Sequence, residues 1–230
     1  MTTLLPHIEL NSGPNPDAAV IWLHGLGADG NDFAAIVPEL DLAGCRAIRF
    51  VFPHAPSMPV TVNGGYVMPA WYDIMGTDLQ KREDAAGIQR SALAIEALIA
   101  NEVARGVDPR RIVLAGFSQG CAIALHTGLR HSAPLAGIVA LSGYLPLAAD
   151  LAAEANPANR KVPVFMAHGS ADPVVPVARG EASRDVLQAM GYAVQWHSYP
   201  MQHSLHPAEL RDIGQFLRTT LGADQQPGRG

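Results

Sequence analysis

The sequence predicts an α/β fold, a mostly parallel central sheet with helices on both faces. Several short runs rich in β-branched residues are apolar almost throughout, as strands covered on both sides are. Between several of them lie segments whose apolar residues return at helical spacing. With 230 residues, 48% hydrophobic and 16% charged, the chain can bury a substantial core, and a single domain over residues 1–222 is expected.

Along the chain, strands are expected at Val20–Leu23, Ile48–Phe52, Ile112–Ala115, Ile138–Leu141, Val164–Met166 and Val194–Trp196. A helix is expected from about Arg82 to Arg105, because Ile88, Ala92, Ile95 and Ile99 fall on one face. Another begins near Gln119. Pro207 suits the first turn of the last helix, which turns Leu210, Ile213, Phe216 and Leu217 inward. The stretch from Pro53 to Gln80 shows no clear helix or strand pattern, yet it carries Met58, Met68, Trp71, Tyr72 and Met75, which need cover. It is expected to wall a binding groove. The polar tail from Ala223, ADQQPGRG, is expected to fray.

Charge and composition exclude several classes. The formal charge is −5 and the longest basic cluster is Arg110-Arg111, so no electrostatic footprint for nucleic acid or anionic lipid is present. No segment approaches the roughly 18 apolar residues of a membrane span, and MTTLLPHIEL lacks a signal-peptide pattern. A soluble, cytoplasmic protein is expected. Cys45 and Cys121 are the only cysteines, which suits a reducing compartment and leaves no disulfide framework or four-cysteine zinc site.

The stretch GFSQG at 116–120 follows the expected strand Ile112–Ala115 directly. A serine between two glycines at a strand-to-helix turn is the nucleophile elbow, in which side chains at the glycine positions would collide with neighbouring backbone. A plain helix N-cap serine would read similarly, but strand before and helix after favour a nucleophile at Ser118. This architecture delivers acid and histidine later in the chain, in that order. Asp172 in HGSADPVVP follows the strand Val164–Met166, whereas Asp29 and Asp73 precede the serine. Among nine histidines, only His203 and His206 occupy the turn after the last strand, and His206 adjoins Pro207 at the helix start. His203 is therefore the expected base. The oxyanion donors are expected to be the N–H groups of Gln119 and of Leu26, whose flanking Gly25 and Gly27 in HGLGADG allow a close approach. That loop has neither G-x-G-x-x-G nor G-K-[ST], so a nucleotide site is not expected.

Together, HGLGADG, AWYDIMG, RIVLAGFSQG, HGSADPVVP and the segment around His203 resemble the phospholipase/carboxylesterase family of α/β-hydrolases, which includes bacterial carboxylesterases and acyl-protein thioesterases. The resemblance runs from about Ala18 to Leu221, with the motifs in the family's order. It implies the α/β-hydrolase fold, with Ser118, Asp172 and His203 as triad, Leu26 and Gln119 at the oxyanion hole, and Trp71 bordering an acyl-chain groove. Gln202 and Cys121 stand where relatives usually carry glycine. Cys121 is expected to be a small buried residue.

The expected reaction is carboxylic-ester hydrolysis through an acyl-enzyme, with no metal or organic cofactor. Short connections leave little chain for a separate lid domain. Small to medium acyl esters are the first expectation, and lysophospholipids or S-acylated proteins the second. A binding protein that kept the fold without turnover is the rival class. Relatives are often dimeric, which leaves a homodimer open, although no interface signature is visible in the sequence.

Overall fold

The structure is a computed structural model that describes residues 4–76 and 83–222. The tail from Ala223 and the last residues of the Pro53–Gln80 stretch lie outside the described residues. In chain order the elements are β1 (His7–Asn11), β2 (Ala18–Leu23), α1 (Asn31–Ala34), β3 (Ile48–Pro53), β4 (Ser57–Val60), β5 (Tyr66–Pro69), α2 (Ala85–Ala104) and β6 (Ile112–Phe117). Then come α3 (Gln119–Arg130), β7 (Gly137–Leu141), α4 (Leu151–Glu154), β8 (Val164–Gly169), α5 (Val177–Ala189), β9 (Val194–Tyr199) and α6 (Pro207–Leu221).

Seven strands form one sheet in the order β1-β3-β2-β6-β7-β8-β9, parallel except for β1, which pairs antiparallel to β3. All six strands expected from the sequence are present. Their side chains alternate between two buried clusters: Ile21, Leu23 and Leu114 pack with Ile88, Ile95 and Ile99 of α2 on one face, while Val20, Trp22 and Val113 pack with Ile213, Phe216 and Leu217 of α6 on the other. Covering both faces removes any need for polar residues on the central strands.

Two features depart from the sequence reading. β1 is a half-exposed edge strand whose Glu9 bonds Arg105, which also bonds the buried Glu102. Its polar pattern carries no strand signal. The stretch after Pro53, read as lacking strand pattern, contains the antiparallel pair β4–β5, turned through Gly64 and Gly65 at φ of 67° and 79°. Pro59 is tolerated because this pair is separate from the main sheet and both its strands are edges.

α6 opens with a capping box. His206 Nδ1 accepts the Ala208 N–H, and Glu209 Oε2 accepts the His206 N–H. Glu209 is fully buried, its Oε1 has no partner among the described residues, and burial pushes its carboxyl up to about 7 from 4.5. The folded state thus holds this proton more tightly than the unfolded chain, so the stability it contributes is complete below about 4.5 and is lost as pH rises through about 7. Urea unfolding of Glu209→Gln at pH 5 and pH 8 is expected to show the variant gaining on the native protein at pH 8, by on the order of 2–3 kcal/mol relative to pH 5.

Candidate active site

The carboxyl ends of β6, β8 and β9 deliver Ser118, Asp172 and His203 to one point. Ser118 lies between β6 and α3 at φ 55°, ψ −117°, a conformation that stores roughly 1–3 kcal/mol of strain in a non-glycine residue. Close packing enforces it. A Cβ at Gly116 would stand 2.2 Å from the Gly120 carbonyl oxygen, and one at Gly120 would stand 2.4 Å from that of Leu23 and 2.6 Å from that of His24. The Ser118 N–H donates to Leu141 O at 2.9 Å and ties the turn to β7.

The serine hydroxyl lies 2.9 Å from His203 Nε2, and His203 Nδ1–H donates to Asp172 Oδ2 at 2.6 Å. These contacts assign the tautomer: Nδ1 carries the proton, and Nε2 is free to accept one from Ser118. Asp172 is buried, and its other oxygen accepts the N–H groups of Val174 and Val175 at 2.8 and 2.9 Å. Its charge is therefore matched by three donors, which makes its burial tolerable. The loop bearing His203 packs on that bearing Asp172: Ala171 N–H donates to Met201 O, and a Cβ at Gly169 would stand 2.3 Å from Gln202 O. The Gln202 side chain itself is exposed.

Gln119 follows Ser118 at the start of α3, and Leu26 follows Gly25 in the β2–α1 loop. A Cβ at Gly25 would stand 3.4 Å from Ser118 Cβ, so the chain of the β2–α1 loop passes directly beside Ser118. The N–H groups of Leu26 and Gln119 donate to no protein acceptor among the described residues. Half-buried Phe117 packs its ring 4.7 Å from that of His203, and Val174 is 63% exposed beside the acid turn.

Trp71 is placed in the interior, at 2% exposure, with its indole N–H donating to His24 O at 2.8 Å. This is a strut's position, and Trp71 also lines a small cavity together with Pro56 and Met58. Asp29 accepts from Asn31 in a local turn, and Asp73 accepts from the N–H and hydroxyl of Thr61 twelve residues earlier. Cys121 is fully buried and its thiol is pushed up to about 12 by that burial, which keeps it in the unreactive protonated form.

Two buried histidines, set aside by position in the sequence, support the site. His24 Nδ1–H donates to Gly25 O at 2.7 Å while Nε2 accepts the Ala55 N–H at 3.0 Å, and His168 Nε2–H donates to Val175 O beside Asp172. Burial lowers the affinity of both for a proton. Their signal in the sequence is a polar residue closing an otherwise apolar strand.

The comparisons with known proteins agree with this architecture. Residues 6–221 match the family model described as phospholipase/carboxylesterase. The chain is 44% identical over 219 residues to acyl-protein thioesterase 1 of Neurospora crassa, covering 89% of this chain and 87% of the relative. It is 42% identical over 213 residues to that of Gibberella zeae, covering 89% and 91%. Among solved structures, Zea mays acyl-protein thioesterase 2 superposes with a TM-score of 0.82 at 30% identity, covering 95% of this chain and all of that one. Arabidopsis thaliana SOBER1 gives 0.84 at 28%, covering 89% and 99%.

Gly120→Ala should force the elbow away from β2. A loss of about 1–3 kcal/mol in urea unfolding is expected, with labelling of Ser118 by a fluorophosphonate slowed at least about tenfold, in keeping with the sensitivity of catalysis to small displacements.

Proposed function

The chain belongs to the phospholipase/carboxylesterase family and is a serine hydrolase of α/β-hydrolase fold, and from that premise we propose that it hydrolyses acyl thioesters of S-acylated proteins or peptides through an acyl-enzyme on Ser118. The observation that carries the reading is the continuous hydrogen-bonded series Ser118–His203–Asp172, at 2.9 and 2.6 Å. Relatives at 42–44% identity named acyl-protein thioesterase 1 favour the thioester over the small carboxylic ester expected first from the sequence. Oxygen esters remain within reach of the same machinery, because both carbonyls pass through a tetrahedral oxyanion.

In this mechanism Ser118 Oγ attacks the thioester carbonyl as His203 Nε2 takes its proton. Asp172 stays ionised, holds the imidazole in the required tautomer and stabilises the imidazolium. The N–H groups of Leu26 and Gln119 receive the oxyanion. Collapse of the tetrahedral intermediate breaks the C–S bond, and His203 returns the proton to the departing sulfur. Water then attacks the acyl-serine by the same route and releases the free acid. Removing one oxyanion donor would cost about 3–4 kcal/mol of transition-state stabilisation. Leu26, Phe117 and Val174 give the acyl chain an apolar margin beside the nucleophile.

The test compares kcat/KM for an S-acyl peptide, its O-acyl counterpart with the same chain, and a lysophospholipid. The thioester is expected to be turned over best, and Ser118→Ala to lower every rate by about 10⁴-fold or more. Preference for a simple ester would return the first expectation to favour, and undiminished turnover in Ser118→Ala would exclude the mechanism.

A further inference from the structure

We propose that the Gln119 side chain is a positioning residue that fixes the separation of the two oxyanion amides, acting through Trp71 on the loop that carries Leu26. The proposal rests on the hydrolase reading above and concerns the side chain of Gln119, whose backbone N–H is the donor in that mechanism.

The Gln119 side chain is buried and used at both ends. Its Oε1 accepts the Trp71 N–H at 2.8 Å, and its Nε2 donates to Tyr72 O at 2.7 Å. Trp71 continues the path, with its indole N–H on His24 O at 2.8 Å and its ring 5.2 Å from that of His24. The His24 ring binds Gly25 O and the Ala55 N–H. Leu26 follows immediately. The Trp71 segment is itself anchored to α2, since Ser91 Oγ donates to Trp71 O and Asp73 N–H donates to Asp84 Oδ2 at 3.0 Å. One donor-bearing residue is thus joined to the loop of the other by buried hydrogen bonds.

Two separate restraints therefore act on the distance between the amides. The approach of Gly120 to the Leu23 and His24 carbonyls sets how near the two segments can come. The Gln119–Trp71–His24 strut limits how far the loop can swing, together with the Gly27 N–H, which donates to Pro69 O at 2.8 Å in the same Trp71 segment. An oxyanion requires both donors about 2.7–3.1 Å from one point, and a misplacement of about 1 Å can lower a rate 10²-fold. A residue that binds no substrate can thereby govern turnover.

Gln119→Met keeps the length but has no donor for Tyr72 O and only a weak acceptor for the Trp71 N–H, and Trp71→Phe keeps a ring but loses the indole N–H. Each, and the pair combined, is measured for kcat and KM on an acyl thioester peptide and for inhibition by an alkyl trifluoromethyl ketone. The Ser118 hydroxyl adds to the ketone carbonyl to form a hemiketal, whose oxyanion needs both amides. Each single variant is expected to lower kcat and inhibitor affinity by about 10–100-fold, with KM within about threefold of native. The double variant should be no worse than the more severe single one, because both cut one path.

Wild-type kcat and inhibitor affinity in the singles, or losses that multiply in the double, would overturn the proposal. Urea unfolding checks that each variant is folded, and should Gln119→Met not fold, Trp71→Phe alone decides. Failure of the hydrolase reading looks different: no turnover by the native protein, or full turnover by Ser118→Ala.

Discussion

The site depends on a backbone contact that admits no side chain, the approach of Gly120 to the carbonyls of Leu23 and His24 at the end of β2. Because α3 starts that close to the sheet, the chain between β6 and α3 has one residue in which to reverse, and Ser118 takes the strained positive φ. The strain is offset by the helix that follows. Every residue of α3 from Gln119 to Leu129 is buried, so the turn is held by packing along the whole element and cannot relax alone.

From that constraint the remaining geometry follows in layers. The hydroxyl lies at the carboxyl edge of the sheet, where the loops after β8 and β9 are bonded to each other and bring Asp172 and His203 within hydrogen-bond reach. Asp172 is the most demanding member, since a buried carboxylate without partners would be severely destabilising. Two backbone N–H groups from the turn it begins, with the imidazole, supply the compensation. His168 fixes that turn from behind through Val175 O. The carboxylate, the imidazole tautomer and the Ser118 hydroxyl are therefore aligned within the folded chain itself, the arrangement that electrostatic preorganisation requires of the proposed mechanism.

How much of this is legible in the sequence varies with burial. The five inner strands are readable because both faces are covered, which leaves an uninterrupted apolar run such as Ile112–Ala115, whereas β9 at one edge shows only the short signal around Val194 and Trp196. β1 is not readable, because an edge strand with Glu9 facing Arg105 looks like polar loop. The β4–β5 pair hides behind Pro59 and its glycine turn. Ser118, Asp172 and His203 can be proposed in advance because the elbow chemistry constrains spacing and chain order. Trp71 is recognisable as a residue needing cover, but not as a strut, since sequence does not reveal which carbonyl an indole N–H will meet. The same holds for Gln119, whose side-chain partners are 47 and 48 positions away in the chain. Among the described residues no helix is long and apolar enough to cross a membrane, as composition suggests.

In the proposed mechanism the Ser118 hydroxyl, activated by His203, carries the acyl group during turnover. Rapid-quench intact-protein and peptide mass spectrometry during turnover of an acyl thioester tests it most directly. A transient mass increase equal to the acyl group is expected on the peptide containing residue 118, absent when that serine is replaced by alanine. An acyl adduct that forms and decays at the turnover rate on any other residue, Cys121 included, would contradict it.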